Sequence, residues 1–233
     1  MMKRTGVVIV GLLLLAVLGA GCVTSDSTAG TTTLSQGGGP PEDRGYGGPP
    51  DGGYSDVPNV SAMPYQELSR DEIGAILYMR EEEKLARDVY LVLYNETGLP
   101  VFQNIARSEQ THMDMVLSLI EKYNLSDPVD GMTVGEFNST EMQELYEELV
   151  SKGSESELEA LKVGALIEEI DIKDLEEWLK RTDNEDVKAV FESLMAGSEN
   201  HLRAFTRLME NRYDVTYSPQ VLGLEEYINI VGR

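Results

Sequence analysis

The chain is poor in the residues that build disulfides, thiolate metal sites and nucleic-acid surfaces. It contains one cysteine, Cys22, so it can form neither an internal disulfide nor a thiolate-bound zinc or iron–sulfur site. It carries 19 basic against 41 acidic side chains, a net charge of −22, which argues against nucleic acid or anionic lipid as a partner. Histidine is scarce as well, with two residues in 233. Any metal site must therefore rest on carboxylates and on these two imidazoles.

The beginning of the chain has little that could form a core. Residues 1–21 are typical of a secretory signal, with a short basic start and an apolar run, Val7–Leu18, that is too short to span a bilayer comfortably. Cys22 follows small residues and resembles the lipobox cysteine of prokaryotic lipoproteins, which is acylated; an ordinary signal peptide with an incidental cysteine is the alternative. We expect residues 22–66, rich in Gly, Pro and Ser, to form a flexible tether, and residues 67–233 to form one domain. These features predict an exported protein at the cell surface or in the periplasm, anchored to the membrane by lipidated Cys22.

The rest of the chain reads as helix. Apolar residues recur at helical spacing in four long segments, and no alternating strand pattern is convincing. We predict long helices at about 69–94, 101–123, 156–179 and 183–212, and a short one at about 140–150. Short turns join the long helices in two antiparallel pairs, and a long crossover containing the short helix joins the pairs. The predicted fold is all-α, a four-helix bundle with ferritin-like topology.

Glu109 and His112 are the first candidates for a functional site. They lie one helical turn apart on an apolar stripe, so both side chains should face the core. A buried charge costs on the order of several kcal/mol unless something pairs with it, and a divalent metal is a suitable partner. Glu-x-x-His is also the ligand pair that di-iron and di-manganese bundles project inward. His201, the other histidine, falls on the inward stripe of the fourth long helix, which strengthens the prediction of a metal site.

The first long helix offers a run of three acids. Glu83 lies seven residues from both Ile76 and Tyr90 and is the predicted ligand. Glu82 is the second choice on this helix, and we expect Glu81 to be solvated.

The third long helix offers a second set of acids. Glu168 lies seven residues from a leucine on either side, so it should face the core. Asp171 lies at the edge of the same stripe and is a further candidate ligand. We expect Glu169 and Asp174, which lie further around the helix, to be solvated.

The ligand types suggest the metal. Carboxylates bridge two cations, and neutral imidazole binds iron, manganese or zinc. Ser198 and Asn200 are candidates to orient His201, and Tyr90 either hydrogen-bonds a ligand or quenches a radical, unless it is simply a core tyrosine. Arg80, Lys84 and Arg87 are expected to pair with acids on neighbouring faces.

Four motifs in order carry a resemblance to a known family. They are Glu83–Tyr90, Ser108–His112, Gly164–Ile172 and Ser198–Phe205. Together they resemble an uncharacterised ferritin-like domain family, domain of unknown function 2202, over about Leu68–Ile230. The spacing of Glu83 to Tyr90 is similar to the first helix of ferritins. Glu109 with His112 is similar to the Glu-x-x-His of ferritins and rubrerythrins, and Glu168 with Asp171 to the paired acids of rubrerythrins.

The resemblance implies a dinuclear iron or manganese site, with zinc as a further option. It implies possible redox activity toward peroxide, dioxygen or ferrous iron, for which an external reductant would be needed because the chain has no Cys-x-x-Cys module. One departure from the pattern is that Ser198 stands three residues before His201, where such enzymes have a second glutamate. A non-catalytic metal-binding or buffering module and a structural bundle with a metal-free polar core remain as alternatives. A homodimer is also left open.

Overall fold

A computed structural model describes residues 57–232, and within that range the chain folds into six α-helices and no β-strand. The helices are α1 (Arg70–Thr97), α2 (Pro100–Lys122), α3 (Thr140–Gly153), α4 (Glu157–Leu179), α5 (Glu185–Tyr213) and α6 (Leu224–Val231). The all-α prediction is confirmed. The five predicted helices correspond to α1 to α5, and α6 lies after the last of them.

Local signals fix where α1 and α2 begin and end. Ser69 Oγ accepts a hydrogen bond from the Glu72 N–H at 3.2 Å, and Glu72 Oε2 accepts one from the Ser69 N–H at 2.8 Å, a capping box. Gly98 ends α1 with φ of 68°, a left-handed conformation that favours glycine, and Pro100 begins α2. Glu72 also accepts a hydrogen bond from the Asn184 N–H. Burial alone would raise the pKa of Glu72, but the hydrogen bonds from these backbone donors lower it to about 2.

The four long helices pack around a layered core. α1 packs closely on α2 and α4 on α5, while α1 also contacts α4 and α2 contacts α5. An aliphatic layer lies toward one end, built from residues such as Ile76, Val116 and Leu194. An aromatic layer lies toward the other end, where the rings of Tyr90, Phe102 and Phe205 have centroids 5.4 to 6.0 Å apart. Along each long helix, the candidate ligands fall between these two layers.

Two hydrogen bonds set the register of α1 against α4. Tyr90 Oη donates to Glu168 Oε1 at 2.5 Å, and Tyr78 Oη donates to Asp174 Oδ2 at 2.7 Å. The lower residue number on α1 pairs with the higher residue number on α4, so the two helices run antiparallel. The Tyr78 ring also packs against Trp178, with centroids 6.2 Å apart.

The crossover is held on α1 by hydrogen bonds to its backbone and by one ion pair. Lys84, 1% exposed, donates from Nζ to Asp88 at 2.5 Å and to the Thr133 carbonyl at 2.8 Å. Asp88 in turn accepts the Gly135 N–H at 2.9 Å. The other two cations also pair with acids, as expected: Arg87 with Asp88, and Arg80 with an aspartate of the crossover, Asp127.

The chain after α5 folds back onto α4 and is held there by Glu169. This side chain, 0% exposed, accepts hydrogen bonds from Tyr217 Oη at 2.6 Å and from three successive backbone N–H groups, at residues 220–222. The prediction that Glu169 is solvated is therefore wrong. Asp174 is half-buried and accepts a hydrogen bond from Tyr78, so it is not fully solvated either.

At the other end, residues before the predicted domain boundary take part in the fold. A 3-10 turn spans Val60–Ala62, and the Val60 side chain is buried. Lys122 Nζ donates to the carbonyl groups of Val60 and Met63 at 3.1 and 3.0 Å. The folded part thus begins before the predicted start at residue 67.

The predicted signal peptide, Cys22 and most of the tether lie outside the described residues. Across residues 57–232, no helix has both the length and the apolar character that crossing a membrane requires.

Candidate metal centre

Two sets of potential ligands meet at the centre of the four long helices. One consists of Glu83, Glu109 and His112, and the other of Glu109, Glu168 and His201; within each set the ligand atoms lie within 4.8 Å of one another. All five residues are at most 7% exposed. Glu109 belongs to both sets, so the arrangement is two adjacent sites that share one carboxylate.

Distances within the cluster show how Glu109 is shared. Its Oε2 lies 2.8 Å from Nδ1 of His112, and its Oε1 lies 2.8 Å from Nδ1 of His201. The two imidazole rings are stacked, with centroids 5.5 Å apart. Each ring also meets a second acid: Glu83 Oε2 lies 3.1 Å from Nδ1 of His112, and Glu168 Oε2 lies 3.4 Å from Nδ1 of His201. Each half therefore pairs one imidazole with one acid of its own and one shared acid.

The electrostatics of the cluster follow from burial and from these pairs. Burial alone lowers the pKa of an imidazole, but Glu109 and Glu168 raise the pKa of His201 to about 10. Glu83 and Glu109 likewise hold the pKa of His112 above its ordinary value against the effect of burial. Burial would raise the pKa of Glu109 too, yet His201 and His112 hold it below its ordinary range. The carboxylates thus form a strongly cation-attracting pocket.

Asp171, a predicted ligand, lies beside the two sets and belongs to neither. It is 5% exposed, and burial is the main cause that raises its pKa to about 8. Ser198 Oγ donates a hydrogen bond to Asp171 Oδ2, while Oδ1 accepts none from the described residues. The sequence suggested that Ser198 orients His201. In the structure Ser198 orients Asp171 instead.

Other polar contacts orient the predicted ligands. The Tyr90 hydroxyl holds Glu168 through the hydrogen bond described above. Ser108 Oγ lies 2.8 Å from Nε2 of His201, a contact that the sequence analysis missed although Ser108 directly precedes Glu109. Asn200 is exposed and accepts a hydrogen bond from Arg203 at 2.7 Å, so it does not orient His201 as predicted.

A close approach to backbone positions His112. Its ring lies so near Gly197 on α5 that a Cβ atom there would be 2.4 Å from Nε2 and 2.6 Å from Cε1. Real Cβ atoms do not come so close, so a residue without a side chain is needed at position 197 for His112 to keep this place.

The donor set fits one or two divalent cations. Among the described residues, Glu83 Oε1 and Asp171 Oδ1 are buried and accept no hydrogen bond, a costly condition that a cation would relieve. Carboxylates combined with imidazoles are ligands that suit iron, manganese and zinc. A metal at this position is therefore consistent with both the unsatisfied oxygens and the chemistry of the donors.

Comparison with known proteins places the chain in a family. The family model described as "Uncharacterized protein domain (DUF2202)" matches residues 72–233, a range that contains every residue of both ligand sets. The chain belongs to this family. This DUF2202 chain is 55% identical over 173 residues to "Uncharacterized protein MJ0754" of Methanocaldococcus jannaschii, covering 74% of the chain and 93% of that protein.

A solved structure is similar to this DUF2202 chain as well. It is the crystal structure of hypothetical protein MJ0754 from Methanococcus jannaschii, which matches with a TM-score of 0.72 at 54% identity and covers 74% of this chain and 98% of that one. Membership of the family of domain of unknown function 2202 is thus confirmed. Because these relatives are described as uncharacterized or hypothetical, the function has to be argued from the site itself.

Proposed function

We propose that this DUF2202 protein holds a dinuclear iron or manganese centre within a ferritin-like four-helix bundle. The observation that carries the proposal is the position of Glu109, whose two oxygens each lie 2.8 Å from a different imidazole. A carboxylate shared between two ligand sets is what a pair of bridged cations requires. Zinc would suit the same donors.

Each ligand has a role in this proposal. Glu83 and His112 would hold one ion, Glu168 and His201 would hold the other, and Glu109 would be shared by the two. Both imidazoles would have to be neutral and the carboxylates ionised to act as ligands. Ser108 Oγ, at 2.8 Å from Nε2 of His201, fixes the orientation of that imidazole ring. The Tyr90 hydroxyl fixes the orientation of the Glu168 carboxylate.

A redox reaction is the function we favour. When bound, such a metal pair supplies one-electron chemistry toward peroxide, dioxygen or ferrous iron. The aliphatic and aromatic layers on either side exclude bulk water from the ligands, which are at most 7% exposed. Because the chain has a single cysteine, any reductant must come from outside it.

Metal binding without turnover is the second candidate. Ser198 occupies the place on α5 from which a second Glu-x-x-His would add a carboxylate, and it binds Asp171 instead. The centre then has fewer acids than the two-fold pattern of di-iron bundles provides. A centre with this composition would also serve to capture or buffer metal at the cell surface.

The first test is metal content and reactivity of the full-length protein purified without chelator. We expect about two equivalents of iron or manganese per chain by elemental mass spectrometry. Removing the metal should lower the melting temperature, since a ligand at a hundred times its dissociation constant stabilises by about 2.7 kcal/mol. Consumption of peroxide or dioxygen by the loaded protein would support the redox function, whereas loaded protein that consumes neither would support the buffering function. A protein that stays empty after anaerobic loading with Fe(II) or Mn(II) would contradict both.

We also propose that the chain is exported and anchored to the membrane through lipidated Cys22, at the cell surface or in the periplasm. The support is the signal-like start and the position of Cys22 after small residues. Mass spectrometry of the N-terminal peptide should show cleavage before an acylated Cys22, and the Cys22→Ser variant should leave the membrane fraction. An intact, unmodified N-terminus in the natural host would refute the anchor.

A further inference from the structure

A row of acids leads from the proposed centre to the surface of α4. Glu168, Asp171, Asp174 and Glu177 follow each other at three-residue intervals. Each interval turns the side chain by roughly 60° around the helix axis, so the row winds from the core outward. Glu168 and Asp171 are buried, Asp174 is half-buried, and the Glu177 side chain is 39% exposed. The acids therefore trace a path along α4 from the core to the surface.

Helix α1 adds a buried acid to this path. Glu82 is 5% exposed, and its Oε2 accepts no hydrogen bond within the described part of the chain. Glu82 lies close enough to Asp174 and Asp171 on α4 for their charges, after burial and together with that of Glu83, to raise its pKa. It lies between the two tyrosine hydrogen bonds that set the register of α1 and α4. A buried carboxylate without a partner is costly to keep, and a passing cation would compensate it.

The cavity beside the crossover differs in charge from the region between α1 and α4. A cavity of about 670 Å³ lies between α1, α2 and the crossover, and its wall carries three basic and three acidic side chains, whose charges cancel. Between α1 and α4, by contrast, the charges that act on Glu82 come from carboxylates, while at the surface end of the row Lys180 pairs with Glu177 at 2.7 Å. Carboxylates that lie close together between two helices concentrate counter-ions around them.

We propose that the acidic seam between α1 and α4, formed by Glu82, Asp171, Asp174 and Glu177, is the route by which divalent cations enter the metal centre. The inference rests on the proposed function, since a route needs a destination. Glu82 Oε2 and Asp171 Oδ1 are the passing ligands, because both are buried and accept no hydrogen bond from the described residues. Tyr78 holds Asp174 in place at the outer part of the seam.

The test is the rate of metal uptake by full-length protein with Glu82→Gln. Chelator-stripped protein would be mixed with Co(II) in a stopped-flow instrument and followed by cobalt absorbance, with the final metal content measured separately. The matched control is Glu81→Gln, which removes the same charge from the next residue; Glu81 is half-buried but faces Ser139 and Glu141 of the crossover. We expect Glu82→Gln to slow uptake roughly tenfold, in the range of electrostatic focusing by a charged cleft, with unchanged final content. Glu81→Gln should take up cobalt at the wild-type rate.

Each other outcome would overturn the route. Equal rates for Glu82→Gln and Glu81→Gln would show that only overall charge matters. A loss of bound cobalt in Glu82→Gln would make Glu82 a ligand of the centre itself. Asp174→Asn, at the half-buried part of the seam and outside both ligand sets, repeats the test and covers the case in which Glu82→Gln does not fold. Wild-type protein that binds no cobalt, iron or manganese would overturn the proposed function along with the route.

Discussion

Replacing Glu109 with glutamine is expected to empty both halves of the metal centre at once. Each carboxylate oxygen lies 2.8 Å from a different imidazole, and the side chain is 2% exposed. Glutamine has nearly the same shape, but it carries no charge and one of its two end atoms is an NH₂ group that cannot bind a cation. Elemental mass spectrometry should show a fall from about two equivalents per chain to almost none.

The matched control is Glu83→Gln, which removes a carboxylate that belongs to one ligand set only. We expect this variant to retain about one equivalent, held by Glu109, Glu168 and His201. If Glu109→Gln kept one or two equivalents while remaining folded by circular dichroism, the two ions would bind independently and the bridging role would be wrong.

Replacing Gly197 with alanine is expected to displace His112. The new Cβ would lie 2.4 Å from Nε2 and 2.6 Å from Cε1 of that ring, closer than side-chain carbons come. Overpacking of this kind costs about 1–3 kcal/mol, which is more than the roughly 0.5–1 kcal/mol that alanine returns in a helix interior. Metal content should fall by about one equivalent, and urea unfolding should show no gain in stability.

Gly74→Ala is the control for the effect of alanine on a helix. Gly74 is exposed within α1, and a Cβ there would meet no atom within 4 Å. We expect this variant to gain about 0.5–1 kcal/mol in the free energy of unfolding and to bind metal as the wild type does. A Gly197→Ala variant that behaved like Gly74→Ala would mean that His112 moves aside without loss and that its position is not critical.

Helical periodicity was enough to predict helices α1 to α5 and the inward position of Glu83. Glu83 was separated from its neighbours in a run of three glutamates because it alone lies seven residues from both Ile76 and Tyr90. In the structure Glu83 meets His112 at 3.1 Å, while Glu81 lies toward the crossover. The method succeeded here because it depends only on the geometry of one helix, which the local sequence determines.

Periodicity could not predict side chains whose partners come from distant, irregular segments. Glu169 lies off the inward stripe of α4, yet it is buried because backbone N–H groups at residues 220–222 and the Tyr217 hydroxyl converge on it. The sequence around Glu169 does not indicate that a segment about fifty residues later in the chain folds back to contact it. Glu82 is a similar case, since the helix that covers it, α4, lies beyond the crossover.

The residues that support the ligands show a different limit. Asn200 was proposed to orient His201 because the two are adjacent in sequence, but adjacent residues on a helix point about 100° apart. Asn200 accordingly faces solvent and pairs with Arg203. Ser108 was overlooked although it lies four residues before His112 and thus on the same face of α2. Helix geometry, applied strictly, would have favoured Ser108 over Asn200.

The packing of Trp178 gives this chain an optical probe of its own. Trp178 is the single tryptophan, and its ring lies 6.2 Å from that of Tyr78, whose hydroxyl donates to Asp174 of the seam. Emission from one indole is free of contributions from other tryptophans, and paramagnetic ions quench such emission at short range. The arrival of cobalt, iron or manganese at Asp174 is therefore visible as a change in tryptophan fluorescence, with no dye attached and no residue replaced.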